Sequence, residues 1–225
     1  MAAITIRKFR NMSSASMRDL IRRIDKKRRE MMGIFEFSTD RCCIFRASIH
    51  PLSEMAYIPE ASEKSGTKAL NLHFWNEQVP PLPSGGPDLG YAKNLIHKWT
   101  ESLRQLANFI LRDPRAEDVT VIIGITPIFF SGNIRTGINL IPRTGMHIEK
   151  YHPSAGPVRL FFDDLYAWML MWTYNPNILY TRKPFTVDWH ALWISREVLV
   201  ERFADPAGKT AQDRGKQAAT NEYTR

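Results

Sequence analysis

The chain has 225 residues, of which 44% are hydrophobic, and it carries a formal net charge of +8 at pH 7. This length and apolar fraction suffice for one sizeable hydrophobic core but not for two, so they favour a single domain with tails. No stretch approaches the roughly twenty apolar residues of a membrane-spanning helix, so we expect any contact with a membrane to be made at its surface.

The cysteines and the N-terminus favour a cytoplasmic protein. The two cysteines, Cys42 and Cys43, are neighbours, and neighbouring side chains on a strand point to opposite faces, so a disulfide between them would be strained. Reduced thiols are typical of the cytoplasm. The first ten residues also lack the apolar core of a signal peptide. We therefore expect a cytoplasmic location, peripheral to the inner membrane.

The first 32 residues form a basic arm. Ten Lys and Arg stand there against three Asp and Glu, whereas the remaining 193 residues carry 21 basic and 20 acidic groups. Because the body is nearly neutral, the arm is the part that predicts an anionic partner. The basic residues that we assign to partner binding are Arg18, Arg22, Arg23, Lys26, Lys27, Arg28 and Arg29.

Apolar residues of the arm recur at helical spacing. Leu20, Ile21 and Ile24 lie on this stripe, serines precede it as candidate N-caps, and Gly33 follows it as a stop signal. The pattern predicts an amphipathic basic helix. Such a helix suits an anionic membrane surface, the phosphates of a nucleic acid or an acidic protein partner; alternatively, it packs only on its own domain. Nucleic acid fits less well, since the body is neutral and has no groove-reading helix motif.

The body of the chain predicts alternating strands and helices. Residues 33–49 alternate apolar and polar side chains around a turn, which suggests a hairpin, and residues 69–75 form a short apolar strand. Apolar residues at three- and four-residue steps predict a helix over 89–112, which should end before Pro114. Residues 119–125 are a continuous β-branched run, typical of a strand buried on both faces.

The order strand, helix, strand predicts a β-α-β unit with a right-handed crossover. Farther on, we predict a strongly apolar helix over 158–174, then a short strand and a small final helix. The fold class is therefore α/β, a single domain with a mixed sheet. The predicted organisation is a basic N-terminal arm at 1–32, an α/β domain at 33–203 and a disordered polar tail at 204–225.

Polar side chains follow two of the predicted strands. Because sites gather at the carboxyl ends of parallel strands, we expect the two polar sets to lie close together. His73 and Glu77 are the candidate catalytic residues, suited to acid–base chemistry. The candidate ligand-binding residues are Asn76, Thr126, Asn133 and Arg135. Among them, Arg135 suits a phosphate or carboxylate group.

The other polar motifs do not indicate a metal or a cofactor. His147, Glu149 and His152 have side chains that a metal accepts, but their spacing matches no helical zinc motif and glycine and proline flank them. Nothing resembles a phosphate-binding glycine loop or a nucleophile elbow. We therefore expect no cofactor and no metal. An alternative for His73 and Asn76 is that they only hydrogen-bond the backbone of their own loop.

The helix predicted over 158–174 is apolar nearly all round after Asp164. It is too short to span a bilayer but long enough to lie in the interface, where Trp168 and Trp172 would be well placed. The alternative is a helix buried between the sheet and another helix, because Trp and Met fill cores well. This helix and the basic arm are two independent features that suit a membrane surface.

Five segments also carry a family resemblance, at residues 70–82, 102–107, 121–126, 135–137 and 192–195. Their order resembles that of the YkoP-like domain family, small bacterial α/β domains without an established activity. The most specific part is His73 and Asn76 followed by Gly124 and Thr126. The resemblance implies an α/β fold and a setting in the bacterial envelope, because such domains occur with polysaccharide deacetylases and related envelope enzymes. The basic arm departs from the family pattern.

Three functions are compatible with these features. The leading hypothesis is a peripherally membrane-associated accessory domain, or one that binds a lipid or glycan precursor, in bacterial envelope metabolism. The first alternative is an enzyme acting on an anionic small molecule or lipid headgroup, with His73 as acid or base, Glu77 assisting and Arg135 holding the anion. The second is a subunit that docks into a larger protein complex through its basic helix.

Overall fold

The structure is a computed structural model that describes residues 14–55, 68–127, 141–151, 156–181 and 189–205. Within these ranges the protein is a single α/β domain with a five-stranded mixed sheet, as the sequence predicts. The strands are β1 Phe45–Pro51, β2 Lys68–Phe74, β3 Val119–Pro127, β4 His147–Lys150 and β5 Trp189–Ser195. The α-helices are α1 Ser14–Met31, α2 Leu89–Arg112, α3 Pro157–Tyr174 and α4 Arg196–Phe203.

The strands are arranged in the order β1-β2-β3-β5-β4. β2 and β3 are parallel, and the other neighbouring pairs are antiparallel. α2 connects the two parallel strands, so the predicted β-α-β unit is confirmed. The carboxylate of Asp88 caps this helix by accepting a hydrogen bond from the Tyr91 N–H at 2.6 Å. The helix ends at Arg112, before the Pro114 that the sequence marks as a boundary.

One face of the sheet packs against α2 and α4. Leu103, Leu106 and Ile110 of α2 are almost fully buried against inward-facing residues of the sheet, such as Leu70 and Ile122. Each fully buried side chain of this size contributes about 1.5–3 kcal/mol relative to an exposed one, so this layer is the main stabilising contact of the domain.

β3 is buried on both faces, as its β-branched run predicts. Ile122 belongs to the cluster that contains α2, whereas Val121 and Ile123 belong to a second cluster with Leu52 and Ala69. Alternating residues of a strand point to opposite faces, so two clusters on one strand mean that both faces are covered. The central position of β3 keeps its carboxyl end well fixed relative to that of β2.

The predicted basic helix is α1. After its last residue, Gly33 has a φ of +62°, and the Gly33 and Ile34 N–H groups donate to the carbonyls of Glu30 and Arg29 at 3.2 and 3.0 Å. This is the Schellman arrangement, which satisfies two of the free carbonyl groups at a helix end. The glycine stop signal in the sequence is therefore used as predicted.

Two features of the fold differ from the sequence expectation. The first arm of the hairpin expected over 33–49 makes only an isolated bridge between Phe35 and Ala47, while Phe35 and Phe37 pack on Phe109 of α2. β4 was not predicted, because its four residues include a single apolar side chain, Ile148.

The predicted tail and part of the predicted site fall partly outside the described ranges. Ala204 is buried and Asp205 accepts hydrogen bonds from Arg104 and Asn108 at 3.1 and 2.7 Å, so the packed domain continues to residue 205. Residues 206–225 of the predicted tail, and residues 1–13 of the arm, lie outside the described residues.

Candidate functional site

A pocket of about 240 Å³ lies between α1, α3 and the carboxyl ends of β2 and β3. His73 and Asn76 line it from the end of β2, and Thr126 lines it from the end of β3. The structure therefore brings together three polar residues that the sequence places at two strand ends. Asn133, Arg135 and His152 lie outside the described residues.

His73 is hydrogen-bonded within the sheet. Its Nε2 lies 3.1 Å from the Oγ of Ser48, a fully buried residue, and the same Oγ lies 3.0 Å from the Nε2 of His50. Burial, with smaller contributions from the charges of His50 and Arg28, lowers the pKa of His73 to about 4. The imidazole is therefore neutral at neutral pH, where it can donate or accept a hydrogen bond but is a weak base.

Glu77 belongs to an ion-pair network rather than to the pocket wall. Its carboxylate oxygens lie 3.1 Å from the buried guanidinium of Arg46 and 3.6 Å from that of Arg29. Arg46 also pairs with Glu36 at 3.0 Å and stacks on Trp75 at 4.6 Å. Because a buried guanidinium without an acid partner is strongly unfavourable, this geometry gives Glu77 the role of neutralising Arg46 and joining α1 to the sheet.

Asp25 of α1 is a buried carboxylate that the sequence reasoning did not single out. It accepts a hydrogen bond from the Tyr166 hydroxyl at 2.7 Å and lies 3.2 Å from the Arg29 guanidinium. The Tyr174 hydroxyl is 3.5 Å away. Burial raises the pKa of Tyr166, and the neighbouring Asp25 raises it further; burial also raises the pKa of Tyr174, to about 12. Both hydroxyls are therefore donors at neutral pH.

Three arginines of the arm lie over aromatic rings of α3. The guanidinium carbons of Arg18, Arg22 and Arg28 are 5.0, 6.0 and 4.1 Å from the ring centroids. The rings are those of Trp172, Tyr174 and Tyr166, in the same order. Because Arg18 near the start of α1 contacts Trp172 and Arg28 near its end contacts Tyr166 and Asp163, the two helices run antiparallel. Such stacking contacts stabilise by about 0.5–1 kcal/mol each at exposed sites.

The other assigned basic residues face the solvent. Arg23, Lys26 and Lys27 are exposed, and the only charged contact of these three within the described residues is a 4.0 Å approach of Lys26 to Glu30. The arm therefore has two faces. One packs on its own domain, which is the alternative given for it above, and the other presents exposed cationic groups.

The two tryptophans assigned to membrane contact are half-buried. Trp168 packs against the cluster that contains Ala167, Met171 and Ile178, and Trp172 lies under a guanidinium group of α1. The apolar side chains that α3 exposes lie instead in its first two turns. They are Val158, Phe161 and Phe162, which are 70%, 53% and 60% exposed.

The charged groups in the pocket wall are balanced. The two negative charges of Asp25 and Asp163 offset the two positive charges of Arg28 and Arg29. The ring of His73 adds no charge at neutral pH. Within the described residues, no group of three or more His, Cys, Asp or Glu side chains is arranged to hold a metal ion. His147 stacks on Trp193 with ring centroids 4.0 Å apart, and Glu149 accepts from the indole N–H of Trp193 at 3.3 Å. The pocket is thus equipped for binding through hydrogen bonds and apolar contact.

Comparison with known proteins adds no assignment to this site. No protein-family model matches the chain, and no curated protein or solved structure matches it either. The resemblance to the YkoP-like domain family stays a prediction. None of the helices in the described part of the chain is long and apolar enough to cross a membrane.

Proposed function

We propose that this protein is an accessory domain that binds reversibly to anionic membrane surfaces. The observation that carries the proposal is the antiparallel packing of α1 on α3, which brings exposed cationic groups and exposed apolar groups to one end of the helix pair. The setting in bacterial envelope metabolism that the family resemblance implies is part of the proposal.

The cationic part of this surface comes from α1. Lys26 and Lys27 are exposed, and Lys27 is the sequence neighbour of Arg28, whose guanidinium lies 3.6 Å from the Asp163 carboxylate of α3. Phe162, in turn, is the sequence neighbour of Asp163. The ion pair therefore brings the last turns of α1, which carry the lysines, next to the first turns of α3, which carry the phenylalanines.

The apolar part is a group of exposed apolar side chains, which the surface of a water-soluble protein normally lacks. Phe161 and Phe162 lie with ring centroids 5.6 Å apart, one helix turn after the exposed Val158. Met31, at the end of α1, is 79% exposed. Clustered exposed apolar residues rimmed by cations are typical of an interfacial membrane contact.

The expected strength is that of a reversible association. Each cationic side chain near an anionic surface contributes about 1 kcal/mol. Burying the exposed half of a phenylalanine contributes roughly 1 kcal/mol more. A few groups of each kind give about 5 kcal/mol, which fits recruitment and release better than a permanent anchor.

The cationic contribution is tested by sedimentation with vesicles of phosphatidylcholine alone and of phosphatidylcholine containing phosphatidylglycerol. Lys26→Gln with Lys27→Gln should weaken binding to the anionic vesicles roughly tenfold to thirtyfold, because about 2 kcal/mol of attraction is removed. The matched control is Lys93→Gln with Arg112→Gln, which removes the same charge from exposed positions of α2. Equal weakening by the two pairs, or equal binding of the wild type to both vesicles, would contradict the proposal.

The apolar contribution has its own matched pair. Phe161→Ser with Phe162→Ser should weaken vesicle binding roughly tenfold to thirtyfold, since two half-exposed rings no longer insert. Leu89→Ser is the control, because Leu89 is 85% exposed and belongs to the start of α2, not to α3. A loss caused by Leu89→Ser but not by the phenylalanine pair would place the membrane contact elsewhere.

An enzyme is the second candidate function, and the shared pocket of His73, Asn76 and Thr126 favours it. The neutral His73 would then position or polarise a substrate. Separate mutation distinguishes the two functions: His73→Gln should abolish turnover of a substrate and leave vesicle binding unchanged. Docking of α1 into a larger protein complex remains the third candidate function. Its test is the co-purification of a stoichiometric partner that binds through the exposed lysines.

A further inference from the structure

The wall that α3 gives the pocket has a polar end followed by an apolar stretch, after which Tyr174 also lines the pocket. Asp163 and Tyr166 of α3 line the polar end, where Arg28 of α1 contacts both of them. Leu170 and Met171 line the pocket one to two turns farther along α3. With a rise of 1.5 Å per residue, the two parts are separated by roughly 10 Å. This polarity fits a ligand that is itself amphiphilic.

Arg28 and Asn76 are hydrogen-bond donors of the pocket wall whose side chains have no acceptor in the described residues. The nearest acid to the Arg28 guanidinium is Asp163 at 3.6 Å, which is beyond hydrogen-bond distance, and its other contact is the stacking on Tyr166. The side-chain amide of Asn76 lines the same pocket and likewise donates no hydrogen bond in the described part of the chain. Guanidinium and amide donors together favour a carboxylate or phosphate oxygen.

The other charged and polar groups set a limit on the charge of the ligand. Arg29 is already paired with Asp25 at 3.2 Å, and the Nε2 of His73 is engaged by Ser48. Arg28 is therefore the cation that can turn its donors to a ligand, because its ion pair with Asp163 at 3.6 Å uses no hydrogen bond. A ligand head with a single negative charge suits this balance better than a dianion, which would leave one charge without a partner.

The size of the pocket limits the apolar part. Pockets for drug-sized ligands occupy about 300–1,000 Å³, whereas this one occupies about 240 Å³. It can hold a head group and one short chain, but not the two chains of a diacyl lipid. Arg28 and Asp163 are 43% and 37% exposed, so they lie at the rim, beside the exposed phenylalanines of α3.

We infer that this pocket binds a single-chain amphiphile with a monoanionic head, such as a fatty acid or an alkyl phosphate. The head is held by Arg28 and Asn76, and the chain lies along Leu170, Met171 and Ile178. The inference deepens the proposed function, and it rests on that function only for the membrane as the source of the ligand.

The test is isothermal titration of the full chain with decanoate below its critical micelle concentration. Saturable binding of one decanoate per chain is expected. Decyl phosphate should bind within tenfold of decanoate, whereas decanol, which lacks the charge, and inorganic phosphate, which lacks the chain, should each bind at least tenfold more weakly. Equal binding of decanol and decanoate, or unsaturable uptake, would overturn the inference, and tight binding of inorganic phosphate would identify a phosphate site instead.

Two variants locate the ligand. Arg28→Gln should weaken decanoate binding at least tenfold, while Arg22→Gln, which loses a similar stacking contact on the same helix but does not line the pocket, should change it less than twofold. Ala167→Leu adds volume to the pocket wall and should also weaken binding at least tenfold, with circular dichroism confirming that the chain is folded. Equal effects of Arg28→Gln and Arg22→Gln would place decanoate elsewhere.

The inference and the proposed function fail in different experiments. Phe161→Ser with Phe162→Ser should leave decanoate binding unchanged, because these side chains do not line the pocket. If decanoate does not bind while anionic vesicles do, only the inference is wrong. If decanoate binds while vesicle binding has no anionic preference, only the proposed membrane role is wrong.

Discussion

At the scale of single residues, His73 and Asp25 show how burial determines what a titratable group can do. His73 is buried next to His50 and Arg28, and each of these factors disfavours its charged form. Asp25 is more deeply buried, but it is paired with the Arg29 guanidinium and accepts a hydrogen bond from the Tyr166 hydroxyl. The pocket therefore combines a histidine without charge and a carboxylate whose position is fixed by its partners.

The lowered pKa of His73 predicts a stability that falls on acidification. Between pH 6.5 and about pH 4 the unfolded chain binds a proton at His73 and the folded chain does not, so the free energy of unfolding decreases as the pH falls through this window and levels off below it. The contribution amounts to roughly 3 kcal/mol at most. Urea unfolding of the wild type and of His73→Gln should show the stability advantage of the wild type shrinking by up to that amount from pH 7 to pH 4.

The control for this experiment is His97→Gln, because His97 is an exposed histidine on α2. A pH-dependent change as large for His97→Gln as for His73→Gln would show that the effect is not specific to the buried ring of His73. If the free energies of unfolding of the wild type and of His73→Gln change in parallel with pH, His73 binds its proton equally in the folded and unfolded chains. The assignment of a neutral imidazole to the pocket would then be wrong.

At the scale of elements, α1 and α2 are held in the fold by different forces. The buried residues of α2 include Trp99 and several aliphatic side chains, whereas those of α1 are only Ile21 and Asp25. Ion pairs, cation–π contacts and the hydrogen bond from the Tyr166 hydroxyl to Asp25 provide the rest of the attachment of α1. Exposed ion pairs contribute about 0–1 kcal/mol each and are weakened by salt, so α1 belongs to the low-stability part of the domain.

This difference predicts a selective effect of salt on α1. Raising sodium chloride to 1 M should accelerate hydrogen exchange of the α1 amides about tenfold, since several screened contacts of a few tenths of a kcal/mol are lost together. The amides of α2 serve as the internal control and should change less than twofold. If both helices respond equally, global stability rather than the docking of α1 is what salt changes.

The same comparison explains which elements could be predicted. α2 has a regular apolar period and a proline boundary, and β3 has a continuous β-branched run, so both were identified from the sequence with nearly the observed bounds. The face on which α3 packs was not predictable, because its composition is apolar almost all round and no polar stripe marks the solvent side. The exposed Phe161 and Phe162 became apparent only when the partner of each side chain was known.

At the scale of the whole molecule, the site depends on contacts between distant parts of the chain. The convergence of His73, Asn76 and Thr126 was predictable, since parallel strands joined by a helix place their carboxyl ends side by side. The contribution of Asp25 was not predictable, because its partner Tyr166 is 141 residues away and nothing in the sequence around Asp25 indicates that contact. Glu77 was assigned from its position in a loop, whereas the buried Arg46 determines where its carboxylate lies.

The molecule is therefore a self-sufficient α/β core with an attached helix that completes the pocket. None of the three apolar clusters includes a residue of α1. Deletion of residues 1–32 should leave a cooperative unfolding transition, with the free energy of unfolding lowered by about 2–3 kcal/mol and the melting temperature by roughly 5–10 °C. Decanoate binding should be lost, because Arg28 is removed together with one wall of the pocket.

Deletion of residues 196–205 provides the contrasting control. α4 is less than half as long as α1, but its Leu199 and Val200 are buried in the largest cluster together with Ala204. Its removal should abolish the cooperative transition, measured by thermal unfolding under the same conditions. If the chain lacking residues 1–32 loses its transition as well, α1 is part of the folding core; its arginine contacts with α3 would then be structural, and membrane recruitment would fall to the exposed lysines and phenylalanines alone.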